Sequence, residues 1–143
     1  MGHPQFISRT LKKINHLYTK ILTKELAPYQ MDHHFEVLHL LANQSEPITQ
    51  SNLAELMQID KSRIAIIIFD LEKRGLVQIK INPDDRRQHY IHLSSLATTA
   101  IPYLEQTVEK INHLAEAGIP EEKLLVFFEV SEMMRQNLLN SDH

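Results

Sequence analysis

The chain has 143 residues, of which 43% are hydrophobic, so it can support one packed domain of ordinary size and is not expected to be disordered. It contains no cysteine, which excludes disulfides, zinc–thiolate sites and thiol-based sensing. The net charge is −3, but residues 1–87 hold 12 Lys/Arg against 10 Asp/Glu and residues 88–143 hold 3 against 8, so the positive potential is expected on the front part.

The start of the chain shows no targeting pattern. Residues 1–6 lack a charged segment followed by an apolar one, and no apolar run reaches the roughly eighteen residues of a membrane-spanning helix. We therefore expect a cytoplasmic protein with no membrane partner.

The first predicted elements are two helices. Apolar residues recur at three- and four-residue steps from Ile7 to Leu26, and Pro28 ends this pattern. A second helix runs through Phe35–Leu41, with Asp32 as its candidate N-cap residue, and Ser45–Pro47 breaks it. This second helix is expected to be internal to the domain.

A helix-turn-helix follows. Thr49 is a plausible N-cap for a short helix, Gln58–Asp60 makes the turn, and Asp60 caps the next helix. In that next helix the residues at i, i+3, i+4 and i+7 must face the core, and these are Ile64, Ile67, Ile68 and Leu71. The opposite face carries Ser62, Ala65, Ile66, Phe69 and Lys73, with Arg63 and Asp70 on its flank. A DNA major groove would meet this face.

A two-stranded ribbon is predicted next. Gly75 ends the helix, Leu76–Ile81 alternates as a strand, Asn82–Asp85 makes a turn, and the return strand contains Ile91 and Leu93. The residues just past the tip are Arg86, Arg87 and His89. Such a tip can place a guanidinium beside phosphates or in a narrow minor groove.

Two further helices complete the pattern. One runs from Leu96 to Leu114 with Pro102 near its start, and Gly118–Pro120 separates it from a last helix that continues through Leu139. The large apolar residues of this last helix are Leu124, Leu125, Phe127, Phe128, Met133, Met134 and Leu138. A helical dimer interface is expected to bury them, because one small domain cannot cover them all.

Four segments together form a recognisable pattern: Leu53-Ala54, Asp70–Val77, Asn82–Arg87 and Leu93-Ser94. With these residues the sequence resembles the multiple-antibiotic-resistance regulator (MarR) family of bacterial winged-helix transcription factors. The wing pattern of Asp, any residue and Arg, followed by the Leu-Ser pair, is the most distinctive part. The resemblance extends over nearly the whole chain, so residues 1–143 are expected to form a single MarR-like domain.

The resemblance implies a mainly α fold with a small β wing, in which a winged helix-turn-helix over 30–94 is flanked by dimerisation helices at 1–28 and 95–143. It also implies a homodimer that binds a small-molecule effector in the crevice between the dimer region and the wing domain. At the wing it implies that Asp85 braces the turn and that Arg87 touches DNA. Candidates for lining the crevice, chosen by position alone, are His16, Tyr18, His34 and Tyr103.

Double-stranded DNA is the predicted partner. The predicted contact residues are Gln50, Ser51, Lys61, Ser62, Arg63, Ala65, Ile66, Phe69, Lys73, Asp85, Arg86, Arg87 and His89. The family often has Thr, Arg or Asp on the groove-facing side, whereas this helix has Ala65, Ile66 and Phe69. Apolar side chains pack against thymine methyls but cannot form paired hydrogen bonds to guanine, so we expect an A·T-rich, pseudo-palindromic operator that is held largely through its backbone by basic residues.

Several alternatives stay open. Another element could bury Ile66 and Phe69, in which case the helix does not recognise any DNA sequence. The same apolar face and the negative net charge also suit a winged-helix adaptor or antirepressor that lacks specific DNA binding. His33-His34, and Glu109 with His113, offer nitrogen and oxygen atoms that zinc accepts, but histidines at such positions are usually solvated, so neither a metal nor another cofactor is predicted.

An enzyme is not expected. Only Gly2, Gly75 and Gly118 are present, so no phosphate-cradling loop can be built, and no activated nucleophile or carboxylate pair is evident. The sequence therefore predicts a DNA-binding transcriptional regulator, and specifically a dimeric repressor that a small effector releases.

Overall fold

The computed structural model describes residues 6–141. In chain order its elements are α1 (Ile7–Leu26), a 3₁₀ turn (Ala27–Tyr29), α2 (Phe35–Ala42), β1 (Ile48–Thr49), α3 (Gln50–Met57), α4 (Lys61–Lys73), β2 (Val77–Asn82), β3 (Asp85–Leu93), α5 (Ser95–Glu116) and α6 (Glu121–Leu139). The prediction of a mainly α fold with a small β wing is confirmed. None of the helices described within 6–141 is both long enough and apolar enough to cross a membrane.

Two boundaries of the helix-turn-helix form as its sequence signals predict. The Thr49 hydroxyl accepts a hydrogen bond from the Asn52 backbone N–H at 3.1 Å and so caps α3. After α4, Gly75 has a φ of 77°, a left-handed conformation that glycine adopts without a steric penalty. The Leu76 N–H then bonds back to the Leu71 carbonyl at 2.9 Å. This closing bond turns the chain sharply from α4 into β2.

Two predicted side-chain caps do not form. Asp60 takes the N-cap position of α4, but its side chain makes no capping hydrogen bond. Asp32 does not cap α2, whose N-cap residue is His34 in a left-handed conformation with a φ of 61°. Asp32 instead pairs with Arg74 at 3.1 Å. A local pattern identifies a carboxylate that can cap, but it does not show the distant cation that competes for it.

The sheet has three antiparallel strands, so the predicted two-stranded ribbon is incomplete. The strand order is β1-β3-β2, with Ile48 of β1 opposite Ile91 and Thr49 opposite Tyr90 of β3. A strand of two residues is too short to show alternation, which is why the pattern missed β1. Because Thr49 both ends β1 and caps α3, no linker separates the sheet from the helix-turn-helix.

The chain divides after Glu109, inside α5, into two compact units. In the first unit the predicted inward face of α4 is confirmed, since Ile64, Ile67, Ile68 and Leu71 are all buried. Other fully buried residues of this unit are Leu22, Leu26, Met31, Leu38, Leu53, Leu76, Ile91 and Leu104. The predicted regions 1–28, 30–94 and 95–143 stay predictions, and their residues 1–5 and 142–143 lie outside the described part of the chain.

The second unit, which contains α6, leaves large apolar side chains exposed. Of the seven predicted interface residues, Leu124 is half-buried and the other six are exposed. Within α6 the rings of Phe127 and Phe128 meet edge to face at 5.2 Å. Described by itself, α1 of the first unit also exposes an apolar stripe, made of Ile7, Leu11, Ile14, Leu17 and Ile21. Exposed stripes of this size call for a covering partner.

Candidate nucleic-acid interface

The outward face of α4 presents two large apolar side chains to solvent. Ile66 is 70% exposed and Phe69 is 68% exposed. The alternative in which another part of the described chain buries them is therefore wrong. The remaining predicted contact residues of α4 are also exposed, namely Lys61, Ser62, Arg63, Ala65 and Lys73. Basic residues thus lie at both ends of this face, Lys61 and Arg63 before the apolar pair and Lys73 after it, while Asp70 and Glu72 lie on its flanks.

A polar cavity of about 460 Å³ separates the start of α3 from the wing. Its lining residues are Thr49, Gln50, Ser51, Asn52, Arg87, Gln88 and His89. The structure therefore brings together four predicted contact residues from two separate segments: Gln50, Ser51, Arg87 and His89. The N-terminal end of α3 and the Arg87 guanidinium both favour negative charge, so this cavity suits an anion such as a DNA phosphate.

Hydrogen bonds within the wing fix the backbone of its tip. Asp85 Oδ1 accepts a hydrogen bond from the Arg87 backbone N–H at 3.0 Å, and Asn82 Oδ1 accepts one from the Asp84 N–H at 2.9 Å. Arg87 Nε lies 3.5 Å from Asp85 Oδ1, yet its side chain remains 94% exposed. Arg86 is exposed as well. Asp85 therefore braces the turn while both guanidinium groups remain accessible to a ligand.

A charged cluster ties the end of α4 to the segment before α2. Arg74 donates to Asp70 Oδ2 at 3.0 Å and to Asp32 Oδ1 at 3.1 Å. His34 Nε2 lies 3.2 Å from the same Asp70 oxygen. Sequence reasoning missed Arg74 and Asp32 as site residues, although Asp70 and Arg74 stand at i, i+4, the spacing of a helical ion pair. The cluster fixes the groove-facing helix relative to the start of α2.

The same cluster shifts two pKa values. Burial lowers the pKa of His34, and the nearby charge of Asp70 offsets this only in part. Burial alone would raise the pKa of Asp70, but the hydrogen bond and the charge of Arg74 outweigh it, so the pKa of Asp70 is lowered. At neutral pH the cluster therefore holds an ionised Asp70 beside a neutral His34.

We expect the free energy of unfolding to fall as the pH is lowered through the range just below 6.5. The pKa of His34 in the folded protein lies below its ordinary value of 6.5, so the unfolded chain takes up the proton first and protonation favours unfolding. The variant His34→Asn should reduce this pH dependence in denaturant unfolding followed by circular dichroism, and asparagine tolerates the left-handed backbone.

Burial also lowers the pKa of His92, so a second contribution should remain in His34→Asn and disappear in the double variant with His92→Gln. The variant His113→Gln removes an exposed histidine and serves as the matched control. A pH dependence that is the same in His34→Asn as in the unmodified protein would contradict this assignment.

The predicted effector-binding residues lie in different surroundings. His16 lies on the exposed surface of α1 beside Arg9 and Lys12. His34 belongs to the Arg74 cluster. The Tyr103 hydroxyl donates to the Glu25 carbonyl at 3.2 Å, and its ring packs on Tyr29 at 4.3 Å. Tyr18 is half-buried on α1. His16, His34 and Tyr103 thus lie in three different surroundings rather than in one shared pocket.

A cavity that sequence reasoning missed lies beside the sheet in the first unit. It has a volume of about 480 Å³, and its lining includes Leu41, Pro47, Ile91, His92, Ile101 and Glu105. Small-molecule sites commonly fall in this range of volume. Its walls come from α2, the loop before β1, β3 and α5, so no single stretch of sequence could show it.

The histidines noted as zinc-ligand candidates have carboxylate neighbours. His33 Nε2 lies 3.5 Å from Asp32 Oδ2, and His34 pairs with Asp70. Among residues 6–141, no three His, Asp or Glu side chains come together in a way that could hold a metal ion.

Comparisons with known sequences match the middle of the chain. Residues 32–89 match the family model of the MarR family. A protein described as a transcriptional regulator for the hcr operon of Thauera aromatica is 32% identical over 74 residues, which cover 52% of this chain and 44% of the relative. The HTH-type transcriptional regulator YdcH of Bacillus subtilis is 28% identical over 92 residues, covering 58% and 62%. The chain thus spans less than two thirds of the length of these relatives.

Solved structures match nearly the whole chain. A MarR-family regulator from Listeria monocytogenes, complexed with 26-mer DNA, has a TM-score of 0.80 at 20% identity and covers 94% of this chain and 90% of that one. The MepR–DNA complex of S. aureus gives 0.82 at 15% identity, covering 93% and 99%. CouR of Rhodococcus jostii RHA1, bound to p-coumaroyl-CoA, gives 0.68 at 24% identity, covering 94% and 89%. At these identities the likeness establishes the fold.

Proposed function

We propose that this protein is a MarR-family transcriptional regulator and not an enzyme, and that it acts as a homodimeric, sequence-specific repressor in the bacterial cytoplasm. The proposal is supported by the match of residues 32–89 to the MarR family model and by the likeness of the fold to solved regulators of that family. The observation that carries the proposal is the outward face of α4, where an exposed apolar pair is framed by exposed basic residues. A solvated helix with no partner would gain nothing from exposing Ile66 and Phe69 together.

In this proposal each subunit contacts DNA in two places. The outward face of α4 enters the major groove, while Arg86 and Arg87 at the wing contact phosphates or the neighbouring minor groove. The polar cavity beside the N-terminal end of α3 receives a backbone phosphate. Lys61, Arg63 and Lys73 supply further positive charge around the apolar pair. The negative net charge of the chain is compatible with this arrangement because the basic residues are concentrated in the front part.

The proposal of a homodimer rests on the exposed apolar side chains of two helices, which form a stripe on α1 and include most of the large residues of α6. A second copy would cover stripes of this kind with matching apolar surface. A two-fold dimer would present two α4 helices about 34 Å apart, one turn of DNA, so the operator would be a pseudo-palindrome. Because apolar side chains favour thymine methyls over guanine, the operator would be A·T-rich.

A small-molecule effector completes the proposal. The 480 Å³ cavity between the loop before β1, β3 and α5 is a candidate site, because it touches the sheet that carries the wing. For a tenfold loss of DNA affinity, the effector has to prefer the non-binding conformation by about 1.4 kcal/mol. A few differential contacts in such a cavity can supply this free energy.

Duplex binding measured against salt concentration tests the proposal. A random-sequence duplex library is selected against the full-length protein, and the enriched duplex is titrated by fluorescence anisotropy at several salt concentrations. We expect an enriched pseudo-palindrome, with log affinity falling against log salt by about 0.9 for each phosphate neutralised. An adaptor, which the apolar face of α4 would also suit, would enrich no sequence and bind no duplex at moderate salt.

A further inference from the structure

The middle two turns of α4 present only apolar groups at the centre of their outward face. On a helix of 3.6 residues per turn, Ile66 and Phe69 each point within about 30° of the direction opposite the buried stripe. The flanking Asp70 is engaged by Arg74 and His34. Ser62 and Lys73 share the outward face, but they lie in the first and last turns. A base edge that contacts the middle of the helix would therefore contact the apolar side chains of Ile66 and Phe69.

In the major groove, the feature of a base pair that an apolar side chain can recognise by packing is the methyl group of thymine. Thymine carries a methyl group on C5, and cytosine does not. The hydrogen-bonding atoms that also separate these bases, thymine O4 and the cytosine amino group, form no conventional hydrogen bond with an aliphatic chain or a phenyl ring. 5-Methylcytosine carries the same methyl group on the same ring carbon, so it presents the same apolar surface as thymine.

We propose that Ile66 and Phe69 read the pyrimidine C5-methyl group itself, so that 5-methylcytosine replaces thymine at the positions they touch and operator affinity responds to cytosine methylation. The inference rests on the proposed function and specifies the chemical group that its recognition helix selects. The partner is duplex DNA rather than an apolar protein surface because Arg63 lies one turn before Ile66 and Lys73 one turn beyond Phe69, and both basic side chains are exposed.

The expected effect follows from the burial of one methyl group. Removing a single buried methyl is expected to weaken binding about fourfold, the factor that corresponds to the transfer of one such group from water. A two-fold operator has two equivalent positions, so removing both methyls is expected to weaken binding about fifteenfold.

The test uses the duplex enriched from the random library. Each symmetric pair of thymines is replaced in turn by deoxyuridine, which removes only the methyl group. At the pairs that respond, the T·A pairs are then replaced by C·G and by 5-methyl-C·G. We expect about fifteenfold weaker binding with deoxyuridine at one or two pairs per operator, a loss with C·G, and recovery of most of that loss with 5-methyl-C·G.

Protein variants assign the effect to the two side chains. Ile66→Ala and Phe69→Ala alter exposed positions, so the fold should persist, and each should bring the thymine and deoxyuridine operators closer in affinity. Lys73→Ala is the matched control, since it should weaken binding to both operators by the same factor.

Two results would overturn the inference. One is equal affinity for thymine and deoxyuridine at every position, or equal affinity for C·G and 5-methyl-C·G at the pairs that respond to deoxyuridine, on an operator that the protein still binds; this result leaves the proposed function intact. The other is the absence of specific binding to any duplex, which overturns the proposed function and this inference together.

Discussion

The variant Phe128→Lys is expected to dissociate the proposed homodimer and to weaken operator binding by about a hundredfold or more, because separate subunits lose the linkage between the two half-site contacts. In the single chain Phe128 is 62% exposed, so a lysine at this position can be solvated and the fold of the subunit should persist. At the proposed interface its ammonium group would be removed from water into apolar surroundings, which costs several kcal/mol. Analytical ultracentrifugation at micromolar concentration, with anisotropy on the selected operator, measures both effects.

The matched control is Gln136→Lys, which adds the same charge to the same helix at an exposed position that is already polar. The Gln136 side chain donates to the exposed Glu132 Oε1 at 3.1 Å, and this change should leave both the proposed dimer and DNA binding intact. If Phe128→Lys remained a dimer at micromolar concentration, the assignment of α6 to the interface would be wrong.

The variant Arg87→Ala is expected to weaken binding to the selected operator about a hundredfold and to unrelated duplex by a similar factor. Each dimer would lose two charge-assisted contacts, each worth about 1.5 kcal/mol. Because phosphate contacts carry no sequence information, the ratio between specific and nonspecific affinity should change little. The slope of log affinity against log salt should become shallower by about 1.8, for two phosphates no longer neutralised.

Lys24→Ala is the control for Arg87→Ala, since it removes one exposed positive charge from α1. It should leave the salt slope close to that of the unmodified protein. An unchanged slope in Arg87→Ala would show that the wing arginine does not reach a phosphate.

The elements that the sequence predicted well are those with a strong local signal. Ile64, Ile67, Ile68 and Leu71 repeat at helical spacing, and all four are buried as expected. The exposure of Ile66 and Phe69 followed from the same periodicity, because a helix with one buried stripe must turn its remaining side chains outward. Thr49 and Gly75 marked boundaries for equally local reasons, one as a cap and one as a left-handed residue.

The features that escaped prediction depend on residues far apart in the chain. Asp32 had the spacing of a helix cap, but Arg74, which approaches from α4, binds its carboxylate. β1 exists only because it pairs with β3, more than forty residues further on. The 480 Å³ cavity is assembled from four segments in the same way. Local periodicity and spacing in the sequence do not indicate such long-range contacts.

The candidate site shows both situations. The sequence indicated Arg87 and His89 by their position at the wing, and Gln50 and Ser51 by their position at the start of a helix. Only the three-dimensional structure shows that these four residues line one cavity. The effector candidates had no comparable motif. They were chosen by position alone, and His34 and Tyr103 turned out to have partners within the fold.

The direct joint at Thr49 has a mechanical consequence. The residue that ends β1 also caps α3, and β1 is bonded to β3, the strand that carries Arg87. The wing and the helix pair are therefore joined directly, with no linker residues between them. A ligand that displaced the sheet would be expected to move the wing and α4 together. The two proposed DNA contacts of a subunit would then be lost at the same time and not one after the other.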